Sequence, residues 1–108
     1  MTTYKFGEIV LIKFPFTGNI TFKKRPALVI KDTNDGDIIV CRITSKTYNS
    51  IYDIELDTWA QHGLKLPSII RVHKMTSLEK TMIDIKLGEI DDTAKAKVID
   101  IIRKLFDK

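Results

Sequence analysis

The sequence predicts a small, mainly β protein, a strongly curved sheet sealed by one C-terminal α-helix. Two observations carry this. Up to residue 87 the apolar residues fall in short runs punctuated by Gly, Pro and an Asn-Asp-Gly triplet. Beyond residue 92 the period lengthens to that of a helix. The chain has 108 residues, 44% hydrophobic and 30% charged, which sets the scale at one modest core and a single domain over 1–108.

The first strand is GEIVLIKFP (7–15), a β-branched run opened by Gly and closed by Pro. The second follows Arg25-Pro26 and runs over 26–31; a proline suits the first residues of a strand or an edge. Asn34-Asp35-Gly36 is a turn signal and joins it as a hairpin to DIIVCRIT (37–44). YDIELD (52–57) reads as a shorter strand, SIIRVHKM (68–75) as a fifth, and TMIDIKL (81–87) as a sixth that stops at Gly88. Val98, Ile102 and Leu105, with Ile99 and Phe106, then recur at helical spacing. Asp91 or Asp92 supplies an N-cap, and Arg103 and Lys104 complement the C-terminal dipole, so 93–106 is expected to be helical. Five or six short strands and one closing helix fit an SH3-like barrel.

Alternation assigns faces. In 37–44, Ile39, Cys41 and Ile43 form the all-apolar set and are expected in the core; Ile38, Val40, Arg42 and Thr44 then lie on the other face. Exposed Ile38 and Val40 would suit a dimer interface. In 68–75, Ile70 and Val72 are expected in the core, which leaves Arg71 and His73 side by side opposite it. Arg25 stands where a long loop becomes a strand, a position that can hold a side chain rigidly yet exposed. Pattern therefore offers one polar group off the core: Arg25, Thr44, Arg71 and His73. Cys41 reads as packing, His62 as structural, and Trp59 as a core or dimer contact.

Composition excludes several classes. A lone cysteine rules out an intrachain disulfide and cysteine-based zinc sites. No signal peptide or ~20-residue apolar span is apparent, so a cytoplasmic protein with no membrane role is expected. The net charge of +4 is uneven: residues 1–31 carry six cations against Glu8, and the remainder is nearly neutral. A basic first third is compatible with a polyanionic partner such as nucleic acid.

Five segments, in order, resemble the PemK/MazF family of toxins from type II toxin–antitoxin pairs. GEIVLIKFPFTG (7–18) resembles the family's opening strand and the start of its mobile loop, and KKRPALVI (23–30) its Arg-Pro strand. IIVCRITS (38–45) is similar to the strand that ends in Thr-Ser. GLKLPSIIRVHK (63–74) is similar to its Gly-Leu to Ser strand, and LGEIDDTAKAKVIDIIRKLF (87–106) to its closing turn and helix. The resemblance spans about residues 5–106. It implies a CcdB/MazF-like barrel, usually a homodimer, with metal-independent cleavage of single-stranded RNA, mostly mRNA, and no cofactor. It also implies a cognate antitoxin, expected as an extended acidic and apolar segment that competes with RNA.

At matching positions the resemblance implies Arg25 and Thr44 as the catalytic pair and Arg71 as a further basic residue of the site. His73 stands where several members carry an acidic residue. RNA brings its own nucleophile, the 2′-hydroxyl, so the enzyme must supply a base, cationic charge for the phosphorane and an acid. Arginines suit the charge, His73 titrates near neutrality, and Thr44 and Ser45 can hydrogen-bond phosphate oxygens. No cluster of Asp and Glu is apparent beside these positions, so no metal site is expected. Between Phe16 and Lys24, Gly18 and Asn19 suggest mobility, Lys23 and Lys24 can hold phosphates, and Phe22 can stack on a base. This loop is expected to close over RNA. Two other readings compete: a catalytically inactive RNA-binding descendant, and a CcdB-like gyrase-binding toxin. The second is disfavoured because the chain ends Leu105-Phe106-Asp107-Lys108, not in Trp-Gly-Ile.

Overall fold

The computed structural model describes residues 2–15, 22–57 and 59–107. Six strands and one helix follow in order: β1 Glu8–Pro15, β2 Phe22–Asp32, β3 Asp37–Thr44, β4 Asp53–Leu56, β5 Ser68–Glu79, β6 Ile83–Glu89 and α1 Asp92–Lys104. Short 3-10 turns occupy Trp59–His62 and Lys80–Met82. The strands form one antiparallel sheet in the order β4-β5-β3-β2-β1-β6.

β2 begins four residues before the Pro26 start expected from sequence. The ladder explains how Pro26 is tolerated inside it. β2 pairs with β3 only from Ala27 onward, so at Pro26 it is bonded to β1 alone and its other side is free. At the hairpin, Asn34 and Gly36 take the positive φ values of 59° and 93°.

Among the described residues no ladder joins the two sheet edges, β4 and β6. The 3-10 turn after β4 lies on β6, where His62 is buried and its Nδ1 donates to the Glu89 carbonyl at 2.7 Å. A carbonyl oxygen can only accept, so this ring nitrogen carries the proton. Gly63, at φ +84°, and Gly88 permit the approach. A Cβ on either would fall 2.1 Å from the Leu87 carbonyl oxygen or 2.2 Å from that of His62. Trp59 packs at the border of the core here.

Both faces of the sheet are covered. One bears the main core, in which Ile9, Leu28, Cys41, Ile70 and Val72 meet Ala94, Val98 and Ile101 of α1. The other bears a second cluster of Val10, Ile12, Ala27, Val29, Ile38 and Val40, roofed by Tyr4, Leu78, Met82 and Ile83. This corrects one expectation: Ile38 and Val40 are 0% and 2% exposed and offer no dimer surface. The reason is that β5 continues to Glu79, beyond the expected end at 75, and with the following turn folds over that face.

The helix is rotated from its expected phase. Ala94, Val98 and Ile101 are buried with Ile102 at the margin, whereas Ile99, Leu105 and Phe106 are exposed. Asp91 caps it, accepting from Ala94 N at 2.8 Å. Among the described residues no helix is long and apolar enough to cross a membrane.

Candidate active site

Main-chain register assembles a polar face at one end of the sheet. Ala27 of β2 stands opposite Arg42 of β3, Arg42 opposite Arg71 of β5, and Arg71 opposite Asp53 of β4. Directly opposed residues share a face. One step of two residues further along come Arg25, Thr44, Ile69 and Glu55, of which Thr44 opposes Ile69 and Glu55 opposes Ile69. Arg25, Arg42, Thr44 and Arg71 therefore share one side of three adjacent strands, beyond the end of the second apolar cluster. On the opposite side lie Leu28, Cys41, Ile43, Ile70 and Ile54 of the main core.

Arg25 is exposed and has no hydrogen bond or ion pair among the described residues. Thr44 is half-buried at the strand end. Its Oγ1 accepts from Lys46 N at 3.2 Å, which leaves the hydroxyl proton free to donate. Ser45 follows it, exposed. Lys23 is exposed two residues from Arg25 on the same side of β2, whereas Lys24 points to the other side and pairs with Asp84 of β6 at 3.0 Å. Lys24 thus stands apart from the arginines, as strand alternation requires. Asn19, with the rest of 16–21, and the side chain of Phe22 lie outside the described residues.

Arg71 is the most constrained of the group. Its Nε donates to Asp53 Oδ1 at 2.9 Å, and its guanidinium carbon lies 3.6 Å above the Tyr48 ring centroid. Asp53 Oδ2 accepts from both N and Oγ of Ser50, at 3.0 and 2.8 Å. Burial pushes the Asp53 carboxyl up, but the bonds from Arg71 and Ser50 outweigh it and hold it below its ordinary range.

His73 tilts against Tyr52, ring centroids 5.1 Å apart. Its Nδ1 is buried with no hydrogen-bond partner among the described residues. Burial, then the charges of Arg71 and Lys74, depress its pKa below 6.5, so the ring is neutral at neutral pH. Cys41, by contrast, is sealed in the core and its thiol is pushed up to about 12 by burial, which removes it from nucleophilic chemistry. Among the described residues no group of three or more His, Cys, Asp or Glu side chains is disposed to hold a metal ion.

Sequence reasoning missed Asp53, Tyr48 and Tyr52 as neighbours of the site. The signal was available for Asp53: in YDIELD, alternation sets Asp53 and Glu55 opposite the apolar Ile54 and Leu56. Tyr48 lies in an irregular segment with no periodicity to assign it.

The model of one family, the PemK-like, MazF-like toxins of type II toxin–antitoxin systems, matches residues 5–106. The chain belongs to that family. No curated protein matches it by sequence. Solved structures of MazF toxins share its fold. The MazE–MazF complex (Form-II) from Deinococcus radiodurans superposes with a TM-score of 0.79 at 20% identity, over 97% of this chain and 96% of that one. The Mycobacterium tuberculosis toxin MazF-mt6 gives 0.76 at 17% identity, covering 93% and 96%. A mycobacterial endoribonuclease in complex with its cognate antitoxin gives 0.75 at 12% identity, covering 94% and 93%. In this PemK/MazF toxin, Arg25 and Thr44 stand one register step from Arg42 and Arg71 on the same face.

Proposed function

We propose that this toxin, over its whole length 1–108 as one domain, is an endoribonuclease that cleaves single-stranded RNA, mRNA foremost, without a metal. The observation that carries the reading is the cluster of Arg25, Arg42 and Arg71 around Thr44 on one face of three adjacent strands, in a family of toxins. Three guanidiniums on this face, against Asp53 and Glu55 at its β4 edge, leave a net positive charge suited to a phosphodiester.

In the proposed reaction the RNA 2′-hydroxyl loses its proton to a base and attacks the adjacent phosphorus. The P–O5′ bond breaks, and an acid returns a proton to the leaving 5′-oxygen. The products are a 2′,3′-cyclic phosphate and a 5′-hydroxyl. Arg25 and Arg71 offset the charge that builds on the phosphorane, and the Thr44 hydroxyl donates to a phosphate oxygen, with Ser45 beside it. His73, neutral at pH 7, is the base; an arginine holds its proton too tightly for that duty. Lys23 and Asn19 bind the strand, and Phe22 stacks on a base; Lys24 contributes least, since Asp84 engages it. The partner is a cognate antitoxin, as in the MazE–MazF and endoribonuclease–antitoxin complexes that share the fold, and the working unit is a homodimer in the cytoplasm.

The test is incubation of purified protein with single-stranded RNA in excess EDTA. The reading expects fragments that end in 2′,3′-cyclic phosphate. RNA bound but left intact would instead identify a non-catalytic RNA-binding descendant.

A further inference from the structure

Arg71 is one member of the proposed phosphate-binding group, but it differs from Arg25 in being held from two sides. We propose that Asp53 and Tyr48 are positioning residues: they hold the Arg71 guanidinium with its outer edge toward the RNA phosphate. This rests on the endoribonuclease reading and assigns roles to two residues outside it.

Four observations converge. First, Asp53 and Arg71 are register partners on adjacent strands, so the backbone sets their separation before any side chain moves. Second, the carboxylate is itself tethered: Oδ1 takes the Arg71 Nε, and Oδ2 takes two donors from Ser50. It has no spare freedom to follow Arg71 if a ligand pulls. Third, the Tyr48 ring backs one face of the guanidinium at 3.6 Å and opposes tilting toward that side. Fourth, only Nε of the five N–H donors is engaged among the described residues. His73 Nδ1 is the buried side-chain atom without a partner among those residues, so the remaining Arg71 donors reach solvent. Asp53 also offsets the repulsion between Arg71 and Arg42, its partner on the other side.

A plain structural ion pair would join β4 to β5 and end there. The two readings differ in coupling. If Asp53 acts through Arg71, its loss costs activity only while Arg71 is present. The experiment is a double-mutant cycle on full-length protein with two readouts: kcat/KM for cleavage of a single-stranded RNA, and affinity for a fully 2′-O-methylated oligonucleotide, which lacks the nucleophile. Asp53→Asn is expected to lower kcat/KM by about tenfold to a hundredfold, the range typical of a misplaced binding group. In an Arg71→Ala background the same change is expected to cost less than about twofold. Tyr48→Leu is expected to lose about tenfold and Tyr48→Phe to recover most of that, because the ring and not the hydroxyl backs the guanidinium.

Equal losses with and without Arg71, in both readouts, would overturn the positioning role. So would loss of Tm in Asp53→Asn with oligonucleotide affinity unchanged. If wild-type protein cleaves no RNA, the endoribonuclease reading falls, while the affinity cycle still decides the positioning role. Absence of both cleavage and binding would overturn the two together.

Discussion

Two ion pairs in this toxin are buried to nearly the same degree and use their donors differently. Lys80 and Asp32, 10% and 3% exposed, sit by the β2–β3 hairpin; Arg71 and Asp53, 13% and 3% exposed, sit at the polar face. Asp32 accepts from Lys80 Nζ at 2.8 Å, from Tyr4 N at 2.9 Å and from Asn34 N at 3.0 Å, and Lys80 also donates to the Thr2 carbonyl. That cluster ties the N-terminal segment to the hairpin and turns inward. The second pair sets one guanidinium edge against a carboxylate and leaves the other toward solvent. Burial alone therefore does not separate a structural pair from a functional one; the donors left over do.

The sharpest break of this comparison is on the polar face. Arg25→Ala is expected to lower RNA cleavage by about a hundredfold or more, the scale of a lost charge-stabilising donor, with Tm essentially unchanged because Arg25 has no partner among the described residues. Next, Arg71→Lys is expected to cost about tenfold or more in kcat/KM, since an ammonium cannot bond Asp53, lie flat on Tyr48 and still present a second edge. The mirror change, Lys80→Arg, is expected to leave kcat/KM unchanged in the folded protein, because its donors face inward.

A smaller effect sharpens the role of His73. Its pKa is depressed, so activity that needs the neutral ring falls off on the acid side at a pH below 6.5. A pH–rate profile of the wild-type protein checks this, with an acid limb expected and a flat profile down to about pH 5 contradicting it. The smallest effect belongs to Asp32 and is read in stability. The Lys80 hydrogen bond, with that from Tyr4, lowers its pKa from 3.8 to about 2. The folded state thus binds the proton less readily than the unfolded one. The stabilisation is complete above about pH 4 and disappears as pH falls through about 2. Asp32→Asn is expected to lower Tm at pH 7, and the gap from wild type is expected to close in acid.

Much of this was legible in the sequence, for physical reasons that differ by element. β3 was read to the residue because its alternating run ends in a turn signal on one side and a polar break on the other. Thr44 and Arg71 were set off the core because period two is local and needs no tertiary information; that they share a face with Arg25 comes from the register of β2, β3 and β5. What local pattern could not supply was cover. Ile38 and Val40 looked exposed because the roof over them comes from β5 and the turn at Lys80–Met82, some 40 residues on. The rotated phase of α1 has the same origin: with apolar residues at 98, 99, 101, 102, 105 and 106, two faces competed, and only the sheet selected Val98 and Ile101. Asp53 was hidden by a different limit. Its meaning depends on pairing with Arg71 across a strand boundary, and a register is not written in either strand alone.

The most direct measurement is the mapping of 5′ ends of RNA fragments made by wild-type protein and by Arg25→Ala at matched concentration. The account predicts discrete 5′-hydroxyl ends with wild type and their near disappearance with Arg25→Ala. Intact RNA with the wild type, or the same ends at the same yield from Arg25→Ala, would contradict it.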